Sequence, residues 1–319
     1  MNTFDARLVL ALVSVLAAGA ACGADNPPDW AYPVNPPGFK PKPDDGTPRH
    51  VPGSNASFTL TQLRDRFLSP VWHPGEHPAQ PEVVARGRKP EVFACGFCHR
   101  ADGPGGPENA NLAGLSAAYI AQQMADYKSG ARKTSVPGRN VDLMISLAKA
   151  ATAAEIEAAA AYFSALKTRA VVRVVEADSV PRTYVTGWHF AAMDKGEQEA
   201  LGQRIIEMPE VLEQFENRDT HARFISYVPK GSIQKGQALA TTGGGKTVQC
   251  ASCHGQDLKG VGPIPGLAGR SPTYLFRQLY DFKHGARSGT ASAQMKPTVE
   301  NLAVEDMIAL AAYVASLAP

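Results

Sequence analysis

A five-residue motif of the form C-x-x-C-H occurs twice in the chain, at residues 95–99 and 250–254. This spacing is typical of c-type haem attachment, because two thiols about one helical turn apart can each bond to one vinyl group of a porphyrin. The imidazole after the second thiol then binds the iron. A Cys₂His₂ zinc site needs a second pair of ligands, and neither copy has one nearby. The sequence predicts thioether bonds from Cys95, Cys98, Cys250 and Cys253 and proximal iron ligands at His99 and His254.

Both motifs lie within an internal repeat. With an offset of 155 residues, segment 112–132 is identical to segment 267–287 at 11 of 21 positions. Apolar residues recur at helical spacing in both copies, and the last helix of the first copy begins with a capping box formed by Thr152 and Glu155. The pattern predicts a mainly α protein with two homologous domains in tandem.

The repeat also sets the domain limits and leaves two segments outside it. We expect a signal peptide at 1–22, a proline-rich arm at 23–80, a first domain at 81–167, a linker at 168–230 and a second domain at 231–319. The arm should be irregular and extended, and should wrap on the first domain. The linker should be irregular apart from a short helix around residues 195–204.

An apolar run at residues 8–21 follows Arg7 and is too short to span a membrane, which favours a secretory signal peptide. Cys22 comes directly after this run, so a lipid anchor at this cysteine is the alternative to simple cleavage. The formal net charge of +2 does not indicate a nucleic-acid partner. We expect export to the periplasm, since c-type haem is attached on the outer side of the bacterial membrane.

A six-coordinate haem needs a second axial ligand, and methionine is a common one in electron-transfer proteins. Among seven methionines, only Met144 and Met295 match each other in the repeat, at an offset of 151. Met124 matches a leucine and is expected to be an apolar core residue. His73 and His77 are the competing ligands for the first iron, although the prolines between and after them prevent the helix that would align them.

Polar residues that recur in both copies are candidates for binding the haem propionates. An arginine follows the middle helix of each repeat, and a tyrosine and a glutamine lie within that helix. The simpler interpretation is a solvated basic helix end. Because the set recurs, we favour hydrogen bonds and charge neutralisation at the propionates. The residues are Tyr119, Gln123 and Arg132 in the first repeat and Tyr274, Gln278 and Arg287 in the second.

These motifs, in this order, resemble those of dihaem cytochromes of the cytochrome c4 type. The resemblance covers about residues 82–167 and 232–318 and rests on C-x-x-C-H, Leu-Ala-Gly, the Tyr, Gln, Asp, Lys and Gly-Ala-Arg positions, and the later methionine. It implies two class I cytochrome c folds and a role as a bacterial periplasmic electron carrier. It also implies the axial pairs His99/Met144 and His254/Met295. The proline-rich arm and the long linker depart from a minimal protein of this type.

Three functions fit such a chain. The first is a periplasmic electron-transfer protein, without catalytic activity, between a donor such as a dehydrogenase or a quinol-oxidising complex and an acceptor such as an oxidase. The second is a dihaem peroxidase, which needs one iron with an open position and two unlike haem sites. The third is a dedicated cytochrome subunit of a dehydrogenase. The matching methionines favour two saturated irons and so disfavour the peroxidase.

Overall fold

A computed structural model describes residues 27–136, 140–193 and 196–319, so the predicted signal peptide and Cys22 lie outside the described residues. The helices are α1 (Leu60–Leu63), α2 (Glu82–Ala85), α3 (Cys95–His99), α4 (Ala117–Ser129), α5 (Asn140–Ala150), α6 (Ala153–Ala165), α7 (Leu212–Glu216), α8 (Ser232–Thr242), α9 (Ala251–His254), α10 (Pro272–Lys283), α11 (Met295–Val299) and α12 (Val304–Ser316). The strands are β1 (Val172–Glu176), β2 (Ser179–Pro181), β3 (Thr183–Thr186), β4 (His189–Ala192), β5 (Gln198–Ala200), β6 (Ile206–Pro209) and β7 (Phe224–Val228).

The second repeat is built on α8, α10 and α12. Phe276 of α10 and Met307 and Ile308 of α12 are fully buried in its core. Helix α8 crosses α12 at Gly236, where an added Cβ would lie 1.9 Å from the carbonyl oxygen of Ala309. Glycine therefore allows a backbone approach that any larger residue would prevent.

The first repeat is built on α4, α5 and α6 around a smaller core that includes Ile120 and Phe163. Helix α6 begins at the predicted capping box. The hydroxyl oxygen of Thr152 accepts from the backbone N–H of Glu155 (3.2 Å), and the Glu155 carboxylate accepts from the backbone N–H of Thr152 (2.8 Å). The mainly helical character predicted for both repeats is confirmed.

The segment between the repeats contains β-sheet, and the prediction of an irregular linker is wrong. Strand β7 pairs with β1 in parallel and with β6 antiparallel, and two further antiparallel pairs are β2 with β5 and β3 with β4. The prediction of a helix around residues 195–204 is also wrong, because residues 198–200 form strand β5. Its hydrogen bonds to β2 place Leu201 against the buried Val180 and Ile206, a contact that local helix propensity does not anticipate.

The arm contacts both domains and the linker, so the expectation that it wraps on the first domain holds only for its second half. Ser69 donates its N–H to the carbonyl of Ala85 in the first repeat (2.8 Å). The first described residues lie on the second domain instead, where Trp30 packs on Phe276 with ring centroids 4.6 Å apart and Tyr32 joins the core. Burial of these aromatic side chains against the second repeat determines the path of the first part of the arm, and this is a long-range effect.

Candidate functional site

The first C-x-x-C-H motif forms the single-turn helix α3, which ends at His99. The imidazole is buried, and its Nδ1 lies 2.8 Å from the carbonyl oxygen of Ala110. A carbonyl can only accept, so Nδ1 carries the proton and donates it. The other nitrogen, Nε2, is left with its lone pair, as an iron ligand requires.

The second motif repeats this arrangement. Nδ1 of His254 lies 2.8 Å from the carbonyl oxygen of Pro265, the position that matches Ala110 at the 155-residue offset. Pro265 ends the loop Gly262-Pro-Ile-Pro265. Ala110 follows the corresponding pair, Gly106-Pro107, by three residues. Burial lowers the pKa of both His99 and His254, which favours the neutral imidazole.

An apolar cavity opens beside the first motif. Its walls bring together both thiols, the proximal histidine and the predicted methionine: Cys95, Cys98, His99 and Met144. The remaining wall is mostly aliphatic and aromatic, with Ile120 among its residues. Such a cavity, lined mostly by apolar groups and carrying both thiols and two candidate iron ligands, fits a porphyrin.

A second cavity continues from the first, since His99 and Met144 line both. Apolar residues form much of its wall, but it also carries a group of polar side chains that comes from the two repeats together. It holds most of the residues predicted to bind propionates: Tyr119, Gln123, Arg132, Tyr274 and Gln278. The structure thus brings the two candidate sets to one place, which an alignment of the repeats alone does not show.

The arginines join the two repeats. Arg132 donates to the side-chain oxygens of Gln123 (2.8 Å) and Gln278 (2.9 Å), and to the hydroxyl of Tyr274 (3.1 Å). Arg287 donates to the same two glutamines, at 2.8 Å to Gln123 and 3.1 Å to Gln278. Each glutamine therefore accepts from one arginine of its own repeat and one of the other.

Both guanidinium groups are buried, at 6 % exposure each, and the structure shows no ion pair for either within the described residues. Nε of Arg287 is also buried without a hydrogen-bond partner there. Two adjacent buried cations are costly unless an anion neutralises them. The site therefore fits a ligand that brings carboxylate groups to this wall, as the propionates of a haem would.

Each middle helix also supports the loop of the other repeat that precedes the predicted methionine. The Asp281 carboxylate accepts from the backbone N–H (2.8 Å) and the hydroxyl (2.9 Å) of Ser135. Asp126 lies against Gly289 in the matching place, so close that a Cβ there would be 2.6 Å from the carboxylate. These aspartates are site residues that were not predicted, although their recurrence in the repeat was a signal.

The candidate distal ligands occupy different settings. Met144 lies within α5 and lines the first cavity, as does Met124 from α4, while Met295 is the first residue of α11 and packs on the second core. His73 and His77 are held elsewhere. Nε2 of His73 lies 3.1 Å from Asp219, and Nδ1 of His77 lies 3.1 Å from the hydroxyl of Tyr162.

Comparison with known proteins agrees with this geometry. A family model described as cytochrome c matches residues 233–318. A relative named thiosulfate dehydrogenase electron acceptor, from Thiomonas intermedia, is 30 % identical over 203 residues, which is 63 % of this chain and 67 % of the relative. The chain belongs to the cytochrome c family. It is a c-type cytochrome that carries covalently bound haem c, and its two attachment motifs fit two haems, as in dihaem relatives.

The resemblance of this cytochrome to the c4 type is also confirmed. Cytochrome c4 from Azotobacter vinelandii is 36 % identical over 87 residues, or 25 % of this chain and 41 % of the relative. A solved structure of thiosulfate dehydrogenase from Marichromatium purpuratum is 28 % identical with a TM-score of 0.48, and the alignment covers 72 % of this chain and 38 % of that one. As a c-type cytochrome, the protein functions in electron transfer.

Proposed function

We propose that this cytochrome is a two-domain electron carrier in which both irons have histidine and methionine ligands. The pairs are His99 with Met144 and His254 with Met295. The observation that carries the proposal is the repeated histidine geometry: in both domains Nδ1 donates to a loop carbonyl at 2.8 Å, which orients the ring for ligation. Haem c, when bound, supplies a one-electron couple at its iron.

The protein's own residues bind and orient the cofactor and exclude water from it. Four cysteines, two in each domain, hold the porphyrins in place as thioethers: Cys95, Cys98, Cys250 and Cys253. The apolar cavity wall keeps solvent from the first haem, which favours a raised potential. Arg132 and Arg287 hold the propionates together with Gln123, Gln278, Tyr119 and Tyr274. An iron saturated by two protein ligands offers no position for a small substrate, so the protein transfers electrons without chemistry of its own.

The physiological donor is a dehydrogenase of the thiosulfate-oxidising class. The relative named as an electron acceptor of such an enzyme aligns over 203 residues, far more than the 86 residues of the cytochrome c match. An alignment of 203 residues is longer than one haem domain, so the similarity to this relative includes other parts of the chain. This favours the third function considered from the sequence, a cytochrome dedicated to a dehydrogenase, over a general carrier.

The protein works in the periplasm, after export by the predicted signal peptide. The apolar run at residues 8–21 and the place of c-type haem attachment support this location. No helix within the described ranges is long and apolar enough to cross a membrane.

Rapid mixing tests the proposal. Oxidised protein is mixed anaerobically with thiosulfate and a purified thiosulfate dehydrogenase, and the haem absorption is followed. Both haems should become reduced, with two electrons taken up per chain, whereas thiosulfate alone should reduce neither. Reduction by dithionite but not by the dehydrogenase would refute the proposal that a thiosulfate dehydrogenase is the electron donor. Rapid peroxide turnover or carbon monoxide binding at one haem would refute the carrier and favour the peroxidase.

A further inference from the structure

A second cluster of ligand-type side chains lies outside the haem cavities, where the arm meets the linker. His73 comes from the arm, and Asp219 and His221 come from the loop between α7 and β7. One potential ligand atom from each lies within 4.8 Å of the other two. The histidine rings are stacked face to face, with centroids 3.8 Å apart and planes inclined by 10°.

Carboxylates orient both rings. Nε2 of His73 lies 3.1 Å from Oδ1 of Asp219. Nε2 of His221 lies 2.7 and 2.9 Å from the two oxygens of Glu76, so the nitrogen of that ring available to an ion is Nδ1. Glu76 would hold His221 in an arrangement that recurs in metalloproteins, with a carboxylate at one ring nitrogen and the metal at the other. At His73, Nε2 and the Asp219 carboxylate face each other, so an ion bound there would replace the hydrogen bond between them.

Asp219 supplies an independent observation. Its side chain is 1 % exposed, and Oδ1 already accepts from His73 and from the backbone N–H of His221 (2.9 Å). Its second oxygen, Oδ2, is buried without a hydrogen-bond partner in the described part of the chain. A buried carboxylate oxygen that accepts nothing is costly, and a bound cation would remove the cost.

We infer that His73, Asp219 and His221 form a site for one divalent transition-metal ion, with Zn²⁺ as the preferred ion. Two imidazoles and one carboxylate are a donor set that zinc accepts, with a fourth position for water. Ligands about 2.1 Å from one ion lie at most about 4.2 Å apart. Binding therefore requires a small inward shift of the side chains and a tilt of the stacked rings.

The ion would fasten the arm to the linker beside the first haem motif. The neighbouring Trp72 already donates its indole N–H to the carbonyl of Asn217 at 2.8 Å. Arg100, which follows His99, donates to the carbonyl of Phe215 in α7 (3.3 Å). The site would thus stabilise the packing of two segments against the first domain, and its role does not depend on the electron donor.

Zinc binding to the haem-loaded protein tests the site. The protein, prepared without a polyhistidine tag, is dialysed against a chelator, which leaves the porphyrin iron in place. It is then titrated with Zn²⁺ by calorimetry, and retained metal is measured by mass spectrometry. One zinc per two haem irons should bind. Thermal unfolding should shift upward by about 5 °C at a hundredfold excess over Kd.

Variants distinguish this site from adventitious binding. Asp219→Asn and His221→Gln should each weaken binding by more than about 100-fold, and Glu76→Gln by about 10-fold, because it acts through His221. The exposed His50 lies elsewhere in the arm, so His50→Gln should bind zinc normally. His221 is 40 % exposed, so its variant should fold and keep its haem spectrum. Absence of stoichiometric zinc, or equal binding in His221→Gln, would overturn the inference and leave a hydrogen-bonded histidine–carboxylate cluster.

Discussion

The two repeats carry matching candidate haem-binding residues but are supported in different ways. In the second repeat the support comes from within the repeat itself, because α8 precedes the C-x-x-C-H motif and packs across α12. In the first domain the corresponding helix, α2, has only four residues. Separate segments of the chain take its place there, and they come from the arm and the linker.

Arg218 of the linker shows how this support works. Its guanidinium donates to the carbonyls of Phe97 (2.6 Å) and Leu63 (2.6 Å), and it stacks over the ring of Phe97 at 3.8 Å. One side chain of the linker therefore joins the first haem motif to the arm. The candidate haem-binding residues are therefore common to the two repeats, whereas the segments that pack around them differ.

Replacement of an axial methionine should have the largest effect of the changes considered, because it removes an iron ligand. It also tests whether the two haems have the same kind of ligands although different segments support them. Met144→Ala and Met295→Ala should each remove thioether ligation at one haem only. The weak near-infrared sulfur-to-iron band of the oxidised protein should then fall by about half in each variant. An unchanged band would reject the substituted residue as a ligand. For the first haem, Met124 lines the same cavity, so Met124→Leu is the matched control and should leave the band intact.

The next prediction concerns the close crossing of α8 and α12 in the second repeat. In the first repeat the corresponding helix, α2, has only four residues. Gly236→Ala places a methyl group against the backbone of Ala309, which cannot move without disturbing α12. We expect a loss of about 3 kcal/mol in the free energy of unfolding, despite the better helix propensity of alanine.

Denaturant unfolding, followed by circular dichroism and by the haem spectrum, measures this loss. Gly75→Ala is the control, since a Cβ there meets nothing within 4 Å, and it should change stability by less than about 0.5 kcal/mol. Equal stability of the two variants would show that the crossing does not depend on glycine.

The carboxylates at the starts of the last helices, Asp306 and Glu155, should differ in their dependence on pH. Burial acts to raise the pKa of Asp306, but ion pairs with Lys235 (2.8 Å) and Lys246 (2.6 Å) outweigh it and lower the pKa to about 2. A hydrogen bond from Arg88 lowers the pKa of the more exposed Glu155.

A carboxylate with a lowered folded-state pKa stabilises the protein above its unfolded pKa, near 4, and loses this contribution as the pH falls through the folded value. Asp306→Asn should therefore cost up to about 2 kcal/mol at pH 7, and the cost should vanish between pH 4 and 2. Glu155→Gln should cost less than about 1 kcal/mol, since solvent screens its pair. Unfolding curves of both variants from pH 7 to 2 provide the measurement, and a larger cost for Glu155→Gln would reverse the comparison.

The cofactor, the repeat and the type of site could be predicted from the sequence because they depend on short segments. Cys95, Cys98 and His99 lie within one helical turn, and the capping box of Thr152 and Glu155 spans four residues. Their geometry follows from local backbone rules. The carbonyls that accept from the candidate proximal histidines are also close in sequence, since Ala110 and Pro265 lie only eleven residues from their partners.

Only the tertiary structure decided how the segments meet. The hydrogen bonds from Arg132 to Gln278 and from Arg287 to Gln123 join residues 146 and 164 positions apart, and nothing local to either residue indicates such a partner. The same holds for Tyr32 in the second core and for the strand pairing that replaced the expected helix near residue 200. In the last two cases burial of distant side chains outweighs local preference, because the free energy gained by removing apolar area from water exceeds the small energies of intrinsic propensity.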